Sequence, residues 1–246
     1  MLKHEIDKES PVPLYAQLKE IIKDEINSSN FKPGQLIPSE RELVDLFEVS
    51  RPTVRQAVNE LVNEGILNKK KGLGTFVAKP KIRQQFLENL TSFQNEMREK
   101  GLPYATKVID MKEVKTNSSL KEIFGEHHTD FFYLERLRYI NNNPVVLVST
   151  YIPKSLAEGL LSEDLTNVSL YETLQSKYGL QIHRAIRVME AVNSSDYESK
   201  FLEIEPDAAI MFIKTTGYLL NDEIFEYSIA RYRGDLSTFT VNISIS

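Results

Sequence analysis

Residues Ser50–Ile66 read SRPTVRQAVNELVNEGI. Ser50 is a good helix N-cap, and Pro52 fits a first turn, where its missing N–H is not needed. Val54, Ala57, Val58, Leu61 and Val62 recur at i, i+3, i+4, i+7 and i+8, an apolar stripe along one face. Arg51, Arg55 and Asn59 form the opposite row, with Thr53 and Gln56 beside it. Cations in an opening turn face the positive end of the helix dipole and cost roughly a few tenths of a kcal/mol each. Such a cost suits a helix whose N-terminal face meets an anion.

The residues before it support that reading. Leu14, Leu18, Ile21, Ile22 and Ile26 predict a first helix, and Pro33-Gly34 lies in the turn after it. Ser39-Glu40-Arg41-Glu42 is a capping box that opens a short helix carrying Leu43, Leu46 and Phe47. Only Glu48 and Val49 separate it from Ser50. Two helices on a tight turn, the second with a polar N-terminal face, form a helix-turn-helix. Beyond Gly65, two strand-like pieces, residues 66–70 and 75–78, flank Lys71-Gly72-Leu73-Gly74, a basic wing. Arginines at the start of a recognition helix reach the major groove, where a bidentate guanine contact discriminates by about 1–3 kcal/mol, more than the dipole cost.

Net charge is −5, against a chain coated in nucleic acid, but residues 1–80 are neutral with 12 cations and 12 anions. Residues 49–80 hold six basic side chains against two acidic ones, the footprint of a local phosphate partner. Cysteine is absent, the N-terminal MLKHEIDKES lacks a signal-peptide core, and no apolar run approaches the ~20 residues of a membrane span. The expectation is a cytoplasmic protein that meets no membrane. The four histidines, His4, His127, His128 and His183, show no metal spacing, and no phosphate loop or nucleophile elbow is present. No cofactor or metal is expected.

The texture changes after a polar stretch, residues 79–90. Residues 131–140, 144–152, 182–193, 210–220, 224–233 and 238–244 read as strands, with hairpin turns at 141–143 and 221–222. Residues 119–124, 154–165, 170–178 and 196–203 read as helices. Hairpin-joined strands with interspersed helices predict an antiparallel α+β domain. The expected organisation is a winged helix-turn-helix over 1–78, a linker over 79–90 and a second domain over 91–246. On FFYLERLRYI, alternation puts Phe132, Leu134, Arg136, Arg138 and Ile140 on one face. Two arginines in an apolar row need either internal carboxylates or an anionic ligand, and the pattern leaves both open. Glu226 and Tyr232 share a face of IFEYSIARY and would meet those arginines or ligand hydroxyls.

Pro38–Leu43, Ser50–Ala57 and Gly72–Val77 resemble the GntR family of bacterial transcription regulators. ERLRYINNNPVVLVSTYIP, SLYETL and FEYSIARYRGD resemble the effector domain of its HutC-type branch, whose fold is similar to chorismate lyase. The resemblance implies that Arg41, Arg51, Thr53, Arg55 and Gly72 contact operator DNA; Ser39, Gln56, Lys69, Lys70 and Lys71 join them as candidates by position. It also implies a phosphate seat at Ser92, Phe93, Arg136 and Arg138, with Ser169, Leu170, Tyr171, Glu226 and Tyr232 lining the remaining pocket. The implied protein is a homodimeric repressor of a palindromic double-stranded operator, controlled by a small anionic metabolite such as a sugar phosphate. Three positions depart from the family pattern. Glu48 stands where glycine is common, Leu73 replaces a basic wing residue, and Val148 replaces a glutamate of amino-sugar-phosphate sensors. The rival expectations are a chorismate-lyase-like enzyme on an anionic substrate and a DNA adaptor that senses nothing.

Overall fold

The computed structural model describes residues 6–70, 72–84 and 92–242, and the chain divides into two compact units, residues 1–80 and 81–246. In the first unit, helix α1 (Leu14–Asn27), α2 (Glu40–Phe47) and α3 (Arg51–Asn63) precede the hairpin β1 (Leu67–Lys70) and β2 (Gly74–Val77). The capping box forms, with Ser39 N–H donating to Glu42 Oε2 at 2.7 Å. Ser50 Oγ accepts the Thr53 N–H at 3.3 Å to open α3. Leu18, Ile22, Leu43, Val54, Ala57, Leu61 and Leu67 are buried together and fix the helices and the wing on one core.

Between α2 and α3, Glu48 adopts φ 50, ψ 41, the left-handed conformation that glycine takes without penalty. At Gly74, φ is +112, and a Cβ would lie 2.6 Å from Leu36 Cδ1, so the wing turn needs glycine there.

The second unit is built on a six-stranded antiparallel sheet in the order β4-β5-β6-β9-β8-β7. These strands are β4 (Tyr104–Lys115), β5 (Asp130–Ile140), β6 (Asn143–Pro153), β7 (Arg184–Asn193), β8 (Ala209–Tyr218) and β9 (Ile224–Arg233). Asn141 and Asn142, both at positive φ, make the β5–β6 turn, and asparagine tolerates that conformation. α4 (Phe93–Glu99) and α6 (Leu170–Tyr178) pack on the sheet face carrying Phe132, Leu134 and Tyr232. α5 (Ser118–Phe124) and α7 (Asp196–Leu202) cover the opposite face, against Phe131 and Leu137.

Four expectations need correction. Residues 154–165 are not a helix but two 3-10 turns, Lys154–Leu156 and Leu160–Ser162. Gly159 at φ 90 interrupts any continuous helix there. β4 and α4 were not expected; β4 interleaves Lys107, Asp110, Lys112, Glu113 and Lys115 with its apolar residues, which hides the alternation. The 79–90 stretch is not a uniform linker, because β3 (Ile82–Gln84) pairs in parallel with β10 (Ser237–Phe239) inside the second unit. Residues 85–90 lie outside the described residues. The expected last strand, 238–244, is correspondingly only the three residues of β10, and 243–246 lie outside the described residues.

Candidate functional site

Two sites emerge, one in each unit. In the first, Arg41, Arg51, Arg55 and Gln56 are exposed at the start of α2 and along the open face of α3. None of the three arginines makes an ion pair among the described residues. Thr53 is half-buried, with its hydroxyl 2.8 Å from Ser50 Oγ, and Ser39 is committed to the α2 cap. The acidic end of α3 is neutralised from behind. Lys19 bridges Glu60 at 3.0 Å and Glu64 at 2.8 Å, and Lys23 holds Glu64 at 3.0 Å. Those hydrogen bonds from the two lysines hold the Glu64 carboxyl below its ordinary pKa. The exposed N-terminal half of α3 is left with the positive field.

The wing departs from expectation at one residue. Lys69 Nζ is 2.7 Å from Glu40 Oε1 and 3.4 Å from Asn59 Oδ1, so it ties β1 to α2 and α3. A lysine held this way is a wing brace before it is a phosphate ligand. Lys70 is exposed and lies 5.5 Å over the Phe76 ring. Gly72, at φ +74 with open space around it, forms the exposed tip; Lys71 lies outside the described residues.

The second site is a cavity within the other unit, about 80 Å³ in volume. A single water needs about 10–15 Å³ of such space, so the cavity has room for a small molecule. It brings together all nine residues expected there: Ser92, Phe93, Arg136, Arg138, Ser169, Leu170, Tyr171, Glu226 and Tyr232. Period-two alternation on β5 and β9 aims Arg136, Arg138, Glu226 and Tyr232 at the same side of the sheet. Ser92 and Ser169 cap α4 and α6, accepting from Asn95 N–H at 3.2 Å and Glu172 N–H at 3.3 Å. Gln94 Nε2 donates to Val168 O at 2.9 Å and joins α4 to the start of α6.

The two arginines are the unusual feature. Arg136 is 2 % exposed, and its Nη1 reaches Val168 O at 3.4 Å, a weak contact. Nε of Arg136 and Nε of Arg138 are buried without a hydrogen-bond partner. Arg138 lies over the Phe93 ring at 4.9 Å. Neither forms an ion pair among the described residues, although the Glu226 carboxyl acts on both through space and Glu96 on Arg138. Burial first, and the neighbouring Arg138 second, push the Arg136 guanidinium below its ordinary pKa; burial does the same to Arg138. Such a pair is stabilised by an anion entering the cavity.

The candidate counter-charge is engaged elsewhere. Glu226 Oε2 accepts from the Tyr171 hydroxyl at 2.7 Å, and burial raises its pKa. Val148 sits directly across the strand pair from Arg136, where an apolar side chain supplies no acceptor. Glu96 lines the cavity but is paired with Lys100 at 2.5 Å.

Sequence reasoning missed Gln94, Glu96, Thr150, Arg187, Ile213 and Thr215 as lining residues. Alternation from Val148 gives Thr150, and the same rule on IFEYSIARY already shares Ser228 and Ala230 with Glu226. Gln94 and Glu96 required α4, and Arg187 required the β7–β8 register. Among the described residues no group of three or more His, Asp or Glu side chains could hold a metal ion. No described helix is long and apolar enough to cross a membrane.

Residues 14–77 match the family model for bacterial regulatory proteins of the gntR family, and residues 99–237 match the UTRA domain. The chain is 38% identical over 235 residues to the HTH-type transcriptional repressor NagR of Bacillus subtilis, covering 95% of this chain and 96% of that one. It is 28% identical to the mannosyl-D-glycerate transport/metabolism system repressor MngR of Escherichia coli, over 93% and 95% of the two chains. Among solved structures, PhnF from Mycobacterium smegmatis superposes with a TM-score of 0.66 at 26% identity, covering 94% of this chain and 99% of that one.

Proposed function

The chain belongs to the gntR family of bacterial regulatory proteins and carries a UTRA domain, and from that premise we propose a repressor that a phosphorylated sugar controls. It is a transcription regulator, as its relatives are, rather than an enzyme. In this reading a homodimer presents two copies of α3 to a palindromic operator, since operator symmetry mirrors protein symmetry. Arg51 and Arg55 read base edges, Arg41 and Lys70 hold the backbone, and the Gly72 tip enters the minor groove.

The observation that carries the effector assignment is the pair of buried guanidiniums, each with an unpartnered Nε. Guanidinium forks match phosphate geometry, and the α6 N-terminus capped by Ser169 adds backbone N–H groups facing an anion. Tyr171, Glu226 and Tyr232 would meet the sugar. Coupling of about 1–3 kcal/mol between this cavity and the operator is enough for a 5–150-fold change in affinity.

Selection of bound sequences from a random DNA pool at physiological salt, with the purified full chain, should recover a palindrome. Operator binding is then titrated with hexose phosphates and with the same sugars unphosphorylated. Only the phosphorylated set should change the affinity; equal responses to both sets would overturn the effector reading.

A further inference from the structure

The register of the sheet aligns a row of polar side chains that the phosphate seat does not use. Thr150 on β6 pairs with Ser228 on β9, Ser228 with Thr215 on β8, and Thr215 with Arg187 on β7. All four line the cavity, and the three hydroxyl residues are buried. The neighbouring row runs Arg136, Val148, Ala230, Ile213 across β5, β6, β9 and β8, sharing three strands with the first, and is apolar beyond the arginine. Strands lie about 4.8 Å apart, so the hydroxyl row spans about 10 Å of backbone and ends on a cation.

Charge in the cavity is lopsided. Arg136, Arg138 and Arg187 line it against Glu96 and Glu226, and Glu96 is spoken for by Lys100. Arg136 and Arg138 belong to β5, whereas Arg187 belongs to the far edge strand β7, with β6, β9 and β8 between them. Tyr171 and Glu226 line the same cavity, the Tyr171 hydroxyl donating to Glu226 Oε2 at 2.7 Å. Two cationic ends with hydroxyls between them describe a receptor for a molecule charged at both ends.

We propose that the effector is a polyhydroxylated chain with an anionic group at each end, one seated on Arg136 and Arg138 and the second, a carboxylate or phosphate, on Arg187. This rests on the phosphate-seat reading above. Thr150, Ser228 and Thr215 hydrogen-bond the carbon hydroxyls between the two ends. The apolar Val148 gives a cationic amine no partner, which fits a ligand that carries only negative charge.

The test is calorimetric titration of the full chain with glucose 6-phosphate, 6-phosphogluconate and fructose 1,6-bisphosphate. A second charge-assisted contact predicts that at least one two-ended probe binds at least about tenfold more tightly than glucose 6-phosphate. Arg187→Gln should collapse that ratio towards one, and Arg187→Lys, which keeps the charge, should retain a preference. The proposal is overturned if neither two-ended probe is preferred, or if Arg187→Gln weakens all three probes by the same factor; in that second case Arg187 only supports Glu226. In both of those cases the phosphate seat survives. If none of the three probes binds, nor inorganic phosphate, the seat itself fails and this inference falls with it.

Discussion

Replacing Arg138 by methionine should stabilise the free protein and abolish its response to ligand. The buried Nε without a partner leaves about 1–3 kcal/mol of uncompensated desolvation. Against this stands the guanidinium on Phe93 at 4.9 Å, which contributes up to about 2 kcal/mol when desolvated. Methionine recovers part of that contact, because sulfur against a ring contributes about 0.3–1.5 kcal/mol. It also removes the charge that disfavours ionised Arg136. The balance is about 1 kcal/mol in favour of the variant, or about 2–4 °C in melting temperature for a unit of this size. A hexose phosphate at a hundredfold its Kd should then raise the wild type by about 2.7 kcal/mol, about 5–10 °C, and leave the variant unmoved. The two melting curves therefore change order when ligand is added, which thermal unfolding followed by circular dichroism reads directly. A variant that melts below the wild type without ligand, or that still gains with it, refutes the reasoning that these arginines are uncompensated.

Arg51→Ala or Arg55→Ala should lose sequence preference by about 1–3 kcal/mol per base contact, whereas Lys70→Ala should weaken all DNA alike and reduce the salt slope by about 1; competition binding on operator and scrambled DNA separates them. Glu40→Gln releases Lys69 from its 2.7 Å partner, and the slope of log K against log salt should steepen by about 0.9. A Glu40→Gln slope equal to the wild type would mean that Lys69 stays on Asn59. Glu48→Gly removes left-handed strain at φ 50 and loses only an exposed pair with Lys8, so denaturant unfolding should show about 1 kcal/mol of added stability. Burial raises the Glu226 pKa above its unfolded value near 4.5. Its contribution is therefore complete below that pH and is lost as pH rises through the raised value. Glu226→Gln should flatten the fall in melting temperature across that window, and an unchanged slope would count against a raised pKa.

Alternation alone placed Arg136 and Arg138 on one face, because a strand has period two whatever its neighbours are. The helix-turn-helix was equally legible, since Ser39, Ser50 and the Val54–Val62 stripe are local signals. Glu48 was readable as a residue standing where glycine is common, and the structure supplies the left-handed angle that makes glycine suit the position. What escaped depends on pairings distant in sequence. Arg187 meets the cavity only through the β7–β8 register, and the Lys69–Glu40 brace joins residues 29 apart. The 154–165 misreading came from Leu156, Leu160 and Leu161, whose spacing mimics a helix while Gly159 breaks it. β4 was hidden because its charged residues interrupt the apolar pattern.

The parallel pairing of Ile82–Gln84 with Ser237–Phe239 has a consequence for how such proteins are assembled. The backbone enters the second unit and makes its last described strand on neighbouring strands, about 4.8 Å apart along a ladder of three residue pairs. A unit whose entry and exit are stapled together is a cassette: it can be cut out at one seam and set behind another head without opening its sheet. Exchange of readers behind one sensor, and of sensors behind one reader, then requires only that the seam near residue 80 be respected.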